Sequence, residues 1–347
     1  MSNASPWTLL HTHCHKTLKE QQLIPPGQRL LVAVSGGQDS LCLIKLLLDL
    51  QPRWHWELAV AYCEHRWQED SGNGEFVQAL SQSWNLPFYS KTAEHVDTTE
   101  AGAREWRYRA LTDLARQHDY AFIATGHTAS DRAETLLYNL IRGSGTDGLQ
   151  ALTWKRPLAP GIFLIRPLLT ITRAETAEFC QSQHLTFWND PSNQNLKYAR
   201  NRIRQELLPY LCTHFNPQAE RTLAQTAELL RADVDYLEAE AQTWLQRSLD
   251  STRAALNRVH LRQAPLALQR RVIRQFLQTT LPCTPGFEQI EKVVNLIPAP
   301  NRSQTDPLPG GAIAVVSDAW IWLKPGQQEA TIRHQCSDLD DSSERSS

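Results

Sequence analysis

No two cysteines in this chain stand close enough to act together. Its seven, Cys14, Cys42, Cys63, Cys180, Cys212, Cys283 and Cys336, form no CxxC, and no two lie within twenty residues of each other. That spacing excludes a disulfide framework, a zinc ribbon and a cysteine-held iron–sulfur site, and it fits a reduced, cytoplasmic compartment. A surplus of charge is also missing. The 35 Lys and Arg against 37 Asp and Glu leave a net charge of −2, so global charge does not announce a nucleic-acid partner. The N-terminus has no cationic start followed by an apolar run, so no signal peptide is expected. The most apolar helix candidate, Leu41 to Leu50, is short and contains Lys45 and Asp49, so no membrane span or membrane partner is expected either. There is no internal repeat.

A length of 347 residues suits two domains, and a 41% hydrophobic share is enough to give each a core. The first half alternates strand and helix signals. Leu30-Leu31-Val32-Ala33-Val34 reads as a buried strand, and Leu41 to Leu50 as a helix ended by Gln51-Pro52. Leu58 to Tyr62, Pro87 to Ser90, Phe122 to Thr125 and Phe163 to Ile165 read as further strands. Between and after them, Ser71 to Trp84, Arg104 to His118, Ser130 to Ile141 and Thr172 to Gln183 read as helices, with Ser130 as an N-cap. Short apolar strands alternating with helices predict an α/β fold: a doubly wound, mostly parallel sheet covered on both faces. Ligands then bind beyond the carboxyl ends of the strands.

From about Asn216 the pattern changes. Ala219 to Leu249 is a long helical stretch with Leu223, Leu230, Val234, Leu237 and Leu245 on one face. Leu266 to Leu277 is another helix, and Ala312 to Val316 with Ala319 to Leu323 flank Ser317-Asp318 as a hairpin. The expected organisation is a helical lead-in over 1–27, an α/β domain over 28–215, a smaller, mainly helical domain ending in a hairpin over 216–325, and a disordered tail over 326–347.

The sharpest feature is Ser35-Gly36-Gly37-Gln38-Asp39-Ser40, which follows a buried strand and opens a helix. Two glycines let backbone approach a ligand, and N–H groups at the helix start point outward with the positive end of the dipole. Ser35 and Ser40 add hydroxyls. The site suits a pyrophosphate. It lacks the Gly-Lys-Ser/Thr of a Walker loop and the GxGxxG of a dinucleotide fold. It resembles the SGGxDS loop of the N-type ATP pyrophosphatases, the PP-loop family, whose sheet is adenine nucleotide alpha hydrolase-like. A plain glycine turn is the competing reading. A second cluster, His127, Asp131 and Glu134, also follows a strand and opens a helix. Such groups can bind Mg²⁺ or handle a proton, although a solvated helix face would show the same residues.

Taken with its neighbours, this cluster is more specific. Gly126-His127-Thr128-Ala129-Ser130-Asp131-Arg132-Ala133-Glu134-Thr135, running on to Arg142-Gly143-Ser144-Gly145, resembles the GHHxxDxxET…RGSG signature of tRNA(Ile)-lysidine synthetases. Glu64-His65-Arg66-Trp67, Ala103-Arg104-Glu105-Trp106-Arg107-Tyr108, Asp190-Pro191-Ser192-Asn193 and Tyr198-Ala199-Arg200-Asn201-Arg202-Ile203-Arg204 resemble further segments of that family, in order, over about residues 28 to 215. Thr128 and Arg132 depart from the pattern, which has His and Gln there.

The resemblance implies adenylation of the wobble cytidine of an isoleucine tRNA with a CAU anticodon. L-lysine then attacks through its side-chain amine, giving lysidine and releasing AMP and pyrophosphate. It implies ATP bound by Ser35 to Ser40 and Mg²⁺ held by Asp39 and Asp131. It further implies His127 or Glu134 acting on the lysine amine, and Arg104 and Arg204 stabilising the α-phosphate. His65, Arg107, Arg200, Arg202 and Arg204 become tRNA or phosphate contacts, and a homodimer is allowed. Arg270, Arg271 and Arg274, with Lys155 and Arg156, are weaker candidates to extend that surface. The alternatives are a PP-loop tRNA thiolase, which would need a sulfur carrier or cysteine pair, a small-molecule amidating synthetase, and a non-catalytic RNA binder.

Overall fold

Leu30, Leu31 and Val32 are all fully buried, which a strand achieves only when both faces of its sheet are covered. The computed structural model describes residues 7–64, 72–94, 100–188, 195–250 and 254–324. They fall into two compact units divided between residues 231 and 232. His65, the segment 190–193 and the tail 326–347 lie outside the described residues.

The first unit begins with α1 (Leu9–Glu20), β1 (Arg29–Ala33), α2 (Gln38–Trp54) and β2 (Glu57–Glu64). It continues through α3 (Asn73–Ser83), β3 (Phe88–Thr92), α4 (Glu100–Gln117), β4 (Phe122–Thr125) and α5 (Ala129–Ile141). Then come α6 (Thr146–Leu149), β5 (Lys155–Ala159), β6 (Ile162–Ile165), α7 (Arg173–Ser182) and α8 (Ala199–Arg202). A π-helical turn (Ile203–Leu207), α9 (Leu208–His214) and the long α10 (Ala219–Ser248) follow, and the division between units falls inside α10.

The six strands lie in the order β3-β2-β1-β4-β6-β5, all parallel except the edge strand β5. Leu30 and Val32 pack with α2 in one core, whereas Leu31 packs with Leu111 and Ala115 of α4 in the other. Period-two alternation along β1 therefore feeds both layers. The chain runs outward from β1 to β2 and β3, then crosses back to place β4 on the other side of β1. That reversal opens a crevice above β1 and β4, where doubly wound folds bind ligands.

Three local expectations differ from the structure. Helix α2 does not stop at Pro52 but runs on to Trp54. Pro52 has no N–H to give the Leu48 carbonyl, but only two helical residues follow it, so little of the helix depends on the turn it weakens. The N-cap of α5 is Thr128, two residues before Ser130; its hydroxyl and the Asp131 carboxylate form a capping box. The strand β5 carried no alternation to reveal it.

The second unit continues α10 and adds β7 (Ala255–Asn257), α11 (Arg258–Leu261), α12 (Leu266–Thr280), α13 (Phe287–Val294), β8 (Ile313–Ser317) and β9 (Trp320–Lys324). The hairpin forms as β8 and β9, with Ser317 opposite Trp320. The distant β7 joins it to make a three-stranded antiparallel sheet. Arg270 pairs with Glu291, and Arg271 and Arg274 with Glu238. These arginines are thus engaged with carboxylates inside the unit.

Candidate active site

Three loops meet above the β1–β4 crevice. The first is Ser35 to Ser40, between β1 and α2. Gly36 takes φ +80°, and Trp188 donates its backbone N–H to the Gly36 carbonyl at 2.9 Å. Asn73 donates from Nδ2 to the Ser35 carbonyl at 3.0 Å. The Ser40 hydroxyl is not aimed outward as a donor. It is buried, donates to the Gly37 carbonyl at 2.8 Å and accepts from the Ser35 N–H at 3.2 Å, folding the loop on itself. Gly37 opens α2 with no side-chain cap, since glycine has none to offer. Such a helix start attracts an anion.

The second loop follows β4. A Cβ on Gly126 would lie 2.9 Å from both the carbonyl carbon and oxygen of Asp39 and 3.0 Å from the Ser40 nitrogen. Glycine here lets the start of α5 touch the phosphate loop. The third loop leads from β6 to α7. Ser130 accepts the Arg173 backbone N–H at 2.9 Å, and Ala129 donates to the Ile171 carbonyl at 2.8 Å.

Arg173 ties the three together. Its Nε donates to Asp39 at 3.1 Å, Nη2 to Asp131 at 2.8 Å and Nη1 to Glu134 at 2.9 Å. Arg204, from the π-helical turn, grips both oxygens of Glu134 at 2.8 and 3.0 Å and lies 3.5 Å from Asp131. Thr176 donates to Asp39 at 2.5 Å, and Gln38 reaches the Arg173 carbonyl at 2.7 Å. Arg173, Thr176 and Trp188 were not anticipated from sequence. Arg173 had one local signal, its place directly after the N-cap Thr172 of α7.

Ser35, Gly37, Gln38, Asp39, Ser40, His127, Asp131, Arg173 and Arg204 all line one cavity of about 640 Å³. Other expected residues fall elsewhere. Glu134 is almost wholly buried, and both its oxygens accept from arginines, so it braces Arg173 and Arg204. Arg104 does not line the cavity. Its guanidinium stands 5.3 Å from the Tyr108 ring, on which Arg156 also stacks at 4.6 Å. Arg107 on α4 is exposed, and Arg200 and Arg202 lie at α8. Arg132, the departure from the family pattern, is buried, donates to Glu228 at 2.9 Å and lies over Trp154.

Charge in the cavity is set by these neighbours. Burial, aided by Arg166, pushes His127 down to about 3, so its ring is neutral. Burial alone would raise Asp131, but Arg173, His127 and the Thr128 N–H outweigh it and hold it down to about 2. For Asp39 burial prevails over Arg173 and its pKa is raised.

The His127 shift has a measurable consequence. An unfolded histidine takes up its proton near pH 6.5, and the folded one only near 3. The His127 contribution to stability is therefore complete above about pH 6.5 and declines as pH falls toward 3, by at most about 1.4 kcal/mol per pH unit. Asp131 adds a loss only below 3.8. Urea midpoints between about pH 7 and pH 4 are expected to fall more steeply for the wild type than for His127→Gln. Parallel slopes would exclude His127 as the responsible group.

The oxygen chemistry fits Mg²⁺. Asp39 and Asp131 face one cavity with hard oxygen donors, and this ion commonly takes one or two carboxylates and completes its shell with phosphates and water. Among the described residues no cluster of three or more protein ligands forms a closed cage.

Comparison with known proteins adds to the geometry. Residues 10–211 match the PP-loop domain family model, and residues 256–322 match the TilS substrate binding domain. The tRNA(Ile)-lysidine synthase of Nostoc sp. is 58% identical over 339 residues, covering 93% of this chain and 99% of that protein. Its counterpart in Synechocystis sp. is 52% identical, covering 92% and 99%. Among solved structures, the U34-tRNA thiolase NcsA from Methanococcus maripaludis, with its [4Fe-4S] cluster, superposes with a TM-score of 0.52. It is 17% identical and covers 64% of this chain and 78% of that one, a likeness of fold alone.

Proposed function

The chain belongs to the tRNA(Ile)-lysidine synthase family, and from that premise we propose that its PP-loop cavity joins L-lysine to the wobble cytidine of an isoleucine tRNA bearing a CAU anticodon. It is a carbon–nitrogen ligase that uses ATP. The observation that supports the reading best is one cavity combining an anion-binding helix start with Asp39, Asp131, His127 and two arginines.

In this scheme the first amides of α2 bind the ATP phosphates. The cytidine oxygen attacks the α-phosphorus, the α–β bond breaks, and pyrophosphate leaves. The lysine amine then attacks the second carbon of the base, and AMP departs with the electrons of the carbon–oxygen bond. Arg204 and Arg173 stabilise charge developing on the phosphate oxygens. Mg²⁺, where bound, is held by Asp39 and Asp131 and neutralises phosphate charge. The amine must be uncharged to attack. His127, neutral at the start, accepts the proton the amine loses as the carbon–nitrogen bond forms, and the negative phosphate of the adenylate raises the proton affinity of that ring. The second unit contacts other parts of the tRNA.

The test incubates the protein with ATP, Mg²⁺, radiolabelled lysine and unmodified tRNA of this kind, beside Asp39→Ala. Acid-stable label on the tRNA is expected, reduced by at least about a hundredfold in the variant. Pyrophosphate release that depends on tRNA but leaves no lysine on it would favour a thiolase instead. Absence of both signals from folded protein would overturn the proposal.

A further inference from the structure

The π-helical turn has two sides in use. Arg204 and Gln205 line the catalytic cavity, whereas Ile203, Glu206 and Leu207 line a separate groove of about 680 Å³. Helix α5 reaches both along its length, with Asp131 in its first turn on the cavity and Tyr138 and Ile141 about two to three turns later on the groove. The two spaces therefore share α5 and the π-helical turn as common lining elements. Arg142, the start of the Arg142-Gly143-Ser144-Gly145 segment, lines only the groove.

The groove is apolar and open. Ile141 is 69% exposed and Tyr210 54%. The Tyr210 ring continues to His214 at 4.6 Å and to Phe215 at 5.9 Å, extending an exposed aromatic strip along α9. Cations rim it: Arg142 donates to the Tyr138 hydroxyl at 2.9 Å with its guanidinium 5.3 Å from the ring, and Arg200 lies 6.0 Å from the same ring. Glu206 is the single acid of the described lining, against Arg142 and Arg202. Exposed aromatics edged by guanidinium groups match an unpaired base carried on a phosphate backbone, which stacks on rings and pairs its phosphates with arginine.

We infer that this groove docks an unpaired base adjoining the target cytidine in the RNA loop, holding the strand while its neighbour enters the cavity. The inference rests on the lysidine-synthase reading and adds to it a subsite on α5, the π-helical turn and α9. Base stacking on an aromatic ring strengthens binding by about ten- to a hundredfold.

The experiment uses the full chain and isoleucine tRNA carrying 2-aminopurine on either side of the wobble cytidine in turn. Wild type is expected to quench one of the two probes. Tyr210→Ala should lose that quench and raise KM for tRNA about tenfold, with KM for ATP unchanged, whereas Tyr210→Phe should keep both values near wild type. Unchanged quenching and KM in Tyr210→Ala would overturn the inference. So would a shift of that variant from dimer to monomer in sedimentation with quenching intact, which would make the face a contact between copies. A wild type that quenches the probe but forms no lysidine would sink the parent reading while leaving the docking of RNA in the groove established.

Discussion

Arg173→Ala is expected to reduce lysidine formation by at least about a thousandfold in kcat/KM, because one guanidinium holds three carboxylates from three loops. Without it Asp39 and Asp131 face each other with Arg204 as the remaining cation near Asp131 and Glu134. The mutual repulsion favours protonation of Asp39, whose pKa burial already raises, so a ligand for Mg²⁺ is weakened as well. Breaking a fully buried ion pair costs about 3–5 kcal/mol. Arg173 is 29% exposed at its side chain and Arg204 stays in place, so about 2 kcal/mol is the expected loss of stability. Arg173→Lys should recover fold but little activity, since an ammonium cannot present three donors in a plane. Steady-state kinetics and a urea midpoint check both parts. Activity within tenfold of wild type in Arg173→Ala would show that the three loops hold their positions without this bridge.

Gly126→Ala tests the contact between the second loop and the first. The new methyl would meet backbone atoms of Asp39 and Ser40 at 2.9 to 3.0 Å. Backbone cannot turn aside as a side chain can, so the start of α2 or of α5 must move by several tenths of an ångström. Misplacement on that scale in a reacting site is worth up to about a hundredfold in rate. The expected result is a fall of about that size in kcat/KM for ATP, with tRNA binding little changed. Gly161→Ala is the matched control. Gly161 has φ +75° but nothing within 4 Å of its added Cβ, so the variant should lose a little stability and no affinity for ATP. Equal losses in both variants would mean that generic strain, and not the loop contact, controls the site.

Much of this was present in residue order. Leu30 to Val34, Leu58 to Tyr62 and Phe122 to Thr125 announced buried parallel strands, and the glycine pair after the first marked the loop that opens α2. Strand propensity, helix capping and glycine conformations are decided within a few residues, so they survive reading one window at a time. Within such a window Ser130 still took the place of Thr128 as N-cap, because both hydroxyls lie near the helix start. A three-residue strand such as β7 has no period to detect, and its partner β9 lies more than sixty residues away.

The site itself is a matter of separation along the chain. Arg173 meets Asp39 across 134 residues and Asp131 across 42, and Arg204 meets Glu134 across 70. Which loops converge depends on strand order, and strand order follows from how whole layers pack, a quantity no local pattern contains. The same holds for burial. From sequence, Glu134 is an acid on a helix near a histidine, a reasonable proton carrier. Only the folded chain shows that two arginines meet its oxygens and that it is buried, so that it also braces the site. Residue types and their order were enough to pick out a glycine loop before a helix and an acidic cluster. The roles of the individual charges emerged with the fold, because a charge acts through its surroundings, and those surroundings arrive from distant parts of the chain.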